Sequence, residues 1–254
     1  MKRIRVIGLC LIAMAAIGAF ASTAALASGP VFYTKAEVKS GESIGFTGTI
    51  TSAKLKTYPS GDEVVCSAGA ATGEITGPKR TENNSIVFTG CKGSGHNCNS
   101  EGKPEGTITV EGLEGTLGAL SSSKPGIELE KSGGGVITHI ECAGALEVTV
   151  EGKLFGSITG GSGTSVAAGK LPTSVSLTFK EKASSSTVLK GGTFNGEEVK
   201  VEKTESTQEY LKFEGETMIY NQLHGLVNKK AEIQAQTATA KLVTSPAGNL
   251  GLTT

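Results

Sequence analysis

The chain has 254 residues, of which 36 are Gly, 24 Ser and 29 Thr, so three small residue types fill about a third of it. Aromatic residues make up 5%, Trp is absent, and among 24 acidic residues Asp62 is the single Asp. That scarcity excludes whole classes of chemistry. A calcium loop crowds several Asp and Asn ligands around one ion, a paired-aspartate protease needs two, and a Ser-His-Asp triad has to enlist Asp62 or substitute a Glu. The formal net charge of zero includes Lys2, Arg3 and Arg5; without residues 1–27 the balance is 21 basic against 24 acidic groups, and Arg80 is the only arginine left. Nucleic-acid binding rests on arginine-rich basic patches, and that balance rules it out.

In chain order, Met1-Lys2-Arg3-Ile4-Arg5 precedes an uncharged run from Val6 to Ala21 and the small residues Ala25-Leu26-Ala27-Ser28. A basic start, an apolar core and an A-x-A site predict a signal peptide over residues 1–27, cleaved after Ala27. The core of 16 residues is short of the ~20 that span a bilayer. Cys10 lies inside it, far from the cleavage site, and no twin arginine precedes it, which predicts the general export route without a lipid anchor. Residues 28–254 are then expected to form one secreted, extracellular or envelope-associated domain with no membrane span.

Beyond residue 28 the pattern has period two, the repeat of a strand with one buried face. It shows in Ile44-Phe46-Gly48-Ile50, Ile86-Phe88-Gly90, Ile108-Val110, Val136-Thr138-Ile140-Cys142 and Val175-Leu177-Phe179. From Leu146 to Ile158 every even position is apolar or Gly, which predicts a strand or a hairpin folded near Gly152. Shorter candidates are Thr193–Val201, Gln208–Phe213 and Thr217–Val227; Ala231–Val243, rich in Ala but also in Thr, is read as strand. Turn clusters separate these runs, among them Pro59-Ser60-Gly61-Asp62, Gly93-Ser94-Gly95, Ser132-Gly133-Gly134-Gly135 and Asn195-Gly196. Many short strands between regular turns predict an all-β, antiparallel sandwich or barrel with little or no helix. A lobe seam is expected near residues 160–170, where Gly, Ser, Thr and Ala replace the alternation.

Four cysteines remain after Cys10: Cys66, Cys91, Cys98 and Cys142. An even number in an exported chain predicts two disulfides; the spacing has no C-x2-4-C hook of a zinc site. Cys66 shares a face with Val64, and Cys142 with Ile140, so both are expected in the core, whereas Cys91 and Cys98 flank the polar loop Lys92–Asn97. This predicts Cys66 bonded to Cys142 and Cys91 to Cys98, with Cys66–Cys91 and Cys98–Cys142 as the main alternative.

The string Ile86-Val87-Phe88-Thr89-Gly90-Cys91, the second cysteine soon after it, Leu113-Glu114-Gly115-Thr116-Leu117-Gly118, and Ile140-Glu141-Cys142-Ala143-Gly144 leading into Val148-Thr149-Val150-Glu151-Gly152 resemble a group of secreted proteins from soil actinobacteria. The resemblance covers roughly residues 60–220. It implies export, four such cysteines and a Gly/Thr-rich β fold. Its motifs are turn glycines and disulfides, so it implies no activity and no site residues.

Candidate chemistry is sparse. His96, His139 and His224 have no H-x-H or H-x3-H spacing that preorganises a metal. No nucleophile elbow is present; Gly160-Gly161-Ser162-Gly163 breaks at Thr164. Gly133-Gly134-Gly135 lacks the Gly-Lys-Ser/Thr of a phosphate loop and is read as a turn. Glycosidases use two carboxylates roughly 5–10 Å apart, and Glu128/Glu130 or Glu147/Glu151 can stand on one strand face. Yet the chain offers only Tyr33, Tyr58, Tyr210 and Tyr220 where Trp is usual for stacking sugars, and a wet sheet face explains alternating Glu, Thr and Lys without function. No catalytic, cofactor-binding or metal residue is therefore assigned. The expected function is a non-catalytic extracellular binding, surface or structural module, with cell-wall or extracellular polysaccharide as partner; the alternative is a glycan hydrolase using a Glu pair.

Overall fold

In a computed structural model of the protein, the residues described are 31–33, 39–58, 60–121, 124–159, 174–179, 186–187, 192–194, 197–199, 204–205, 223–245 and 251–253. Among them all regular structure is strand. In chain order these are β1 (Val31–Tyr33), β2 (Ile44–Tyr58), β3 (Glu63–Cys66), β4 (Ala68–Ile75), β5 (Arg80–Thr89), β6 (Lys92–Gly93), β7 (His96–Asn97) and β8 (Asn99–Ser100). Then follow β9 (Thr107–Ser121), β10 (Lys124–Lys131), β11 (Val136–Cys142), β12 (Leu146–Glu151), β13 (Lys153–Thr159) and β14 (Val175–Phe179). The remainder are β15 (Ser186–Thr187), β16 (Gly192–Phe194), β17 (Glu197–Val199), β18 (Thr204–Glu205), β19 (His224–Val227), β20 (Lys230–Ser245) and β21 (Gly251–Thr253).

Eight strands close on themselves in the order β2, β4, β5, β9, β10, β13, β14, β20 and back to β2, every neighbour antiparallel. The fold is a barrel with an added sheet. Closure leaves none of these strands with an unpaired edge. The long strands β2 and β20 outrun the barrel: their pairing shifts register between Ile50 and Ala53, a bulge of the kind that bends a strand out of one sheet into another. Beyond it, β2 pairs with β3 and β20 with β19, and the order continues through β12, β11 and β8 on one side and β6 and β7 on the other. This end sheet caps one mouth of the barrel.

Alternation explains which residues fill the interior. Leu146, Val148, Val150, Leu154, Gly156 and Ile158 are all buried, so the run from Leu146 to Ile158 holds one phase throughout. It is not a hairpin: β12 pairs with β11 and β19, β13 pairs with β10 and β14, and the chain turns from end sheet to barrel at Gly152, whose φ is +99°. Inward glycines make room for bulky neighbours. A Cβ on Gly156 would lie 2.6 Å from the Phe179 ring and 2.7 Å from Leu177, and one on Gly48 would lie 2.5 Å from Leu242. The segment Ala231–Val243 is strand, as its Thr content predicts, and pairs with β2 from Ile233 onward. The seam expected near 160–170 and the candidate Gln208–Phe213 lie outside the described residues.

The disulfides correct the predicted pairing. Cys66 is bonded to Cys91 and Cys98 to Cys142, with Cα atoms 3.9 and 4.0 Å apart. Register explains both. Ala68 faces Thr89 between β4 and β5, and carrying that register back two residues sets Cys66 opposite Cys91. Asn99 faces Glu141 between β8 and β11, and one step further sets Cys98 opposite Cys142. The prediction failed by treating Cys91 and Cys98 as loop residues facing water. The loop between them is the β6–β7 hairpin, which extends the end sheet beside β3, and Cys91, Cys98 and Cys142 are all 0% exposed. Gly93 sits where this packing is tightest, since a Cβ there would lie 3.0 Å from the Cys98 sulfur and 3.1 Å from that of Cys142. Two disulfides indicate an oxidising environment, as found outside the cytoplasm. No helix among the described residues is long and apolar enough to cross a membrane.

Candidate functional site

Of the histidines and glutamates singled out above, those whose side chains are described lie on open sheet faces or on the β6–β7 hairpin. Glu128 and Glu130 share the outer face of β10, and both grip Lys153 on neighbouring β13, at 2.8 and 2.9 Å. Glu128, chiefly, and then Glu130 raise the Lys153 pKa above its ordinary 10.5 by hydrogen bonding to its ammonium. One ammonium thus bridges two carboxylates on the outer face of the barrel. Glu147 stands with Glu141 beside His139, each 3.5 Å from its Nε2, while His139 Nδ1 lies 3.2 Å from Thr149 Oγ1. His139 stands on the face opposite the buried Ile140 and Cys142. His96 is exposed on the β6–β7 hairpin, remote in the sheet order from β12, which carries Glu151. The side chains of His224, Tyr33 and Tyr58, and all of Tyr210 and Tyr220, lie outside the described residues. The glycines 133–135 form a solvent-facing turn between β10 and β11, with φ of +74°, +79° and +86°.

The concave space of the molecule is inside. The barrel encloses a cavity of about 60 Å³, walled by Phe46, Ile127, Leu129, Leu177 and Phe179 among others. A single water needs only ~10–15 Å³, so the space admits a body several waters in size. An eight-stranded barrel is just wide enough to be filled by side chains or to hold one small ligand. Here the small inward residues Ala71, Ala238 and Ala240 line the space that the larger side chains leave unfilled. Phe32 of β1 closes one mouth: it is 5% exposed, lines the cavity, and its backbone N–H donates to Pro78 O at 2.6 Å in the β4–β5 turn. At the other end Phe88 forms the partition to a second cavity of about 50 Å³ under the end sheet, which it also lines.

One polar pair interrupts the apolar wall. Asn84 enters the barrel at a stretch where β5 shifts register against both neighbours, just after Asn83 with its φ of +53°. Its Nδ2 donates to Thr81 Oγ1 at 2.8 Å, and both residues are buried. Asn84 Oδ1 has no partner; it lies against Gly73, where a Cβ would overlap it and the Phe46 ring. Thr244, buried and on the inward phase of β20, also keeps an unpartnered hydroxyl, and it faces Phe46 across the β2–β20 ladder.

None of these interior residues was selected from sequence. The signal was present in the strings Ile44-Gly45-Phe46-Thr47-Gly48 and Ile86-Val87-Phe88-Thr89-Gly90, where Phe and Gly alternate on one face, the small-beside-large arrangement a barrel interior needs. No protein-family model matches the chain, and comparison with curated proteins and with solved structures likewise brings no match.

Proposed function

We propose that this chain is an exported, non-catalytic binding module whose site is the interior of its β-barrel, and that it takes a small, largely apolar molecule. The observation that carries this reading is the cavity behind Phe32, inside the barrel, whose wall among the described residues holds no acid or base and, besides the Thr81–Asn84 pair and Thr72, is apolar. The two disulfides, the signal-like segment 1–27 and the likeness to secreted actinobacterial proteins support export into an oxidising medium. Outward positions of the barrel strands carry Thr47, Thr49, Glu128, Thr178, Thr239 and Lys241, the reverse of a membrane barrel, which is apolar outside and polar within. That pattern supports a protein bathed in water.

The test starts with protein recovered in oxidised form from the culture medium. Extraction with organic solvent followed by mass spectrometry is expected to release an apolar molecule in stoichiometric amount, and incubation with cell-wall polysaccharide to release no reducing sugar. Pelleting with the polysaccharide and an empty extract would move the binding site to the polar outer faces. Release of sugar would favour a hydrolase using the glutamates.

A further inference from the structure

The cavity's unpartnered polar atoms narrow the ligand's chemistry, an inference that rests on the barrel interior being the site. Buried polar groups are almost always hydrogen-bonded, and one left without a partner costs stability. Asn84 is 5% exposed and lines the cavity, with its amide nitrogen committed to Thr81 and its Oδ1 unpartnered. Thr244, 4% exposed, leaves its Oγ1 unpartnered on the inward phase of β20, three places from β5 in the barrel order. Register brings them together. Thr244 faces Phe46, Phe46 faces Gly73, and Asn84 Oδ1 lies against Gly73. Both groups therefore sit around one Phe46 ring at the mouth that Phe32 closes, while the far end, at Phe88, is apolar.

We infer that the barrel binds an apolar body carrying one hydrogen-bond donor, a hydroxyl or N–H, at its Phe32 end. The donor goes to Asn84 Oδ1, the unpartnered polar atom on the cavity wall among the described residues. The apolar remainder points towards Phe88 between Ile127 and Leu177. A purely apolar molecule of the same shape leaves Asn84 Oδ1 unpartnered and binds more weakly, because discrimination is strong where a site's own polar group is left without its partner.

Phenol and toluene have nearly the same shape and differ in O–H against CH3, which makes them the probes. Each is titrated into the oxidised protein, with the methyl resonances of Leu177 and Ile127 reporting occupancy of the barrel. Phenol is expected to bind about tenfold more tightly than toluene, the worth of one hydrogen bond, and Asn84→Leu to bring the two affinities together. Equal binding in the unsubstituted protein overturns the polar handle but leaves an apolar site standing. A phenol advantage that survives N84L overturns the role of Asn84. If neither probe moves the methyl resonances, the barrel is not a ligand site and both readings fall. The unsubstituted comparison decides the matter even if N84L does not fold.

Discussion

The barrel and the end sheet are built on the same two long strands, yet they deal with sheet edges in opposite ways. The barrel has no edges, because β2 and β20 meet and close it, and it contains no disulfide. The end sheet is open, finishing in strands of two residues, β7 and β8, and it is there that both disulfides lie. Each bridge ties a segment to the one beside it, Cys66 to Cys91 and Cys98 to Cys142. Closure by hydrogen bonds leaves a cavity of about 60 Å³ in the barrel; covalent staples pack sulfur against Gly93 beside a smaller one of about 50 Å³. Cross-links thus mark the part of a β protein that cannot close itself.

Substitutions can break this comparison, and the largest effect is expected at the partition shared by both regions. Phe88→Ala joins the two cavities and should destabilise the protein by up to about 5 kcal/mol, seen as a lower midpoint in denaturant; a loss below about 1 kcal/mol would show that Phe88 does not bind the two cores together. Removing a staple comes next. The chain-entropy relation gives about 4 kcal/mol for Cys98→Ala with Cys142→Ala and about 3.5 kcal/mol for Cys66→Ala with Cys91→Ala. The sharper expectation concerns place: amides of β8 and β11 should lose hydrogen-exchange protection while those of β13 and β14 keep it. Uniform loss would mean that the barrel depends on the staples.

Gly156→Val probes the barrel alone. Its Cβ meets Phe179 and Leu177, so it should cost about 1–3 kcal/mol through overpacking and abolish toluene binding while the end sheet keeps its protection. The smallest effect belongs to the outer face. Glu128 and Glu130 hold the Lys153 pKa above 10.5, so their contribution is complete below about pH 10.5 and is lost as pH rises through the raised value. The side chain is 37% exposed, and the contribution should be only a few tenths of a kcal/mol. A pH titration of stability should show that loss in the unsubstituted protein and not in Lys153→Met.

Period-two alternation made the strands legible, and it held even where it crossed the corner at Gly152, because burial follows the pleat whichever sheet the strand has entered. Partnership between strands was not legible. Nothing in the strings around Ile44 and Ala231 announces that these two segments pair over twelve residue positions. The cysteine pairing failed for the same reason, since it depends on the register of Cys91 with Cys66 and not on the polarity of the loop that follows it. Asn84 escaped notice because a polar residue in the run Arg80–Thr89 reads as outward-facing until a register shift turns it inward.

The pairing of β2 with β20 also sets an order of events in time. Gly45 pairs in register with Ser245, and Tyr58 with Ile233, so the first long strand waits for nearly the last. Contacts so distant along the chain form slowly, because a long loop must close before they give any return. Hairpins such as β4–β5 and β9–β10 can form early from neighbouring residues, but the barrel cannot shut until residue 245 is present. A chain with that topology stays open throughout its synthesis, and whatever the barrel encloses can be taken up before it closes.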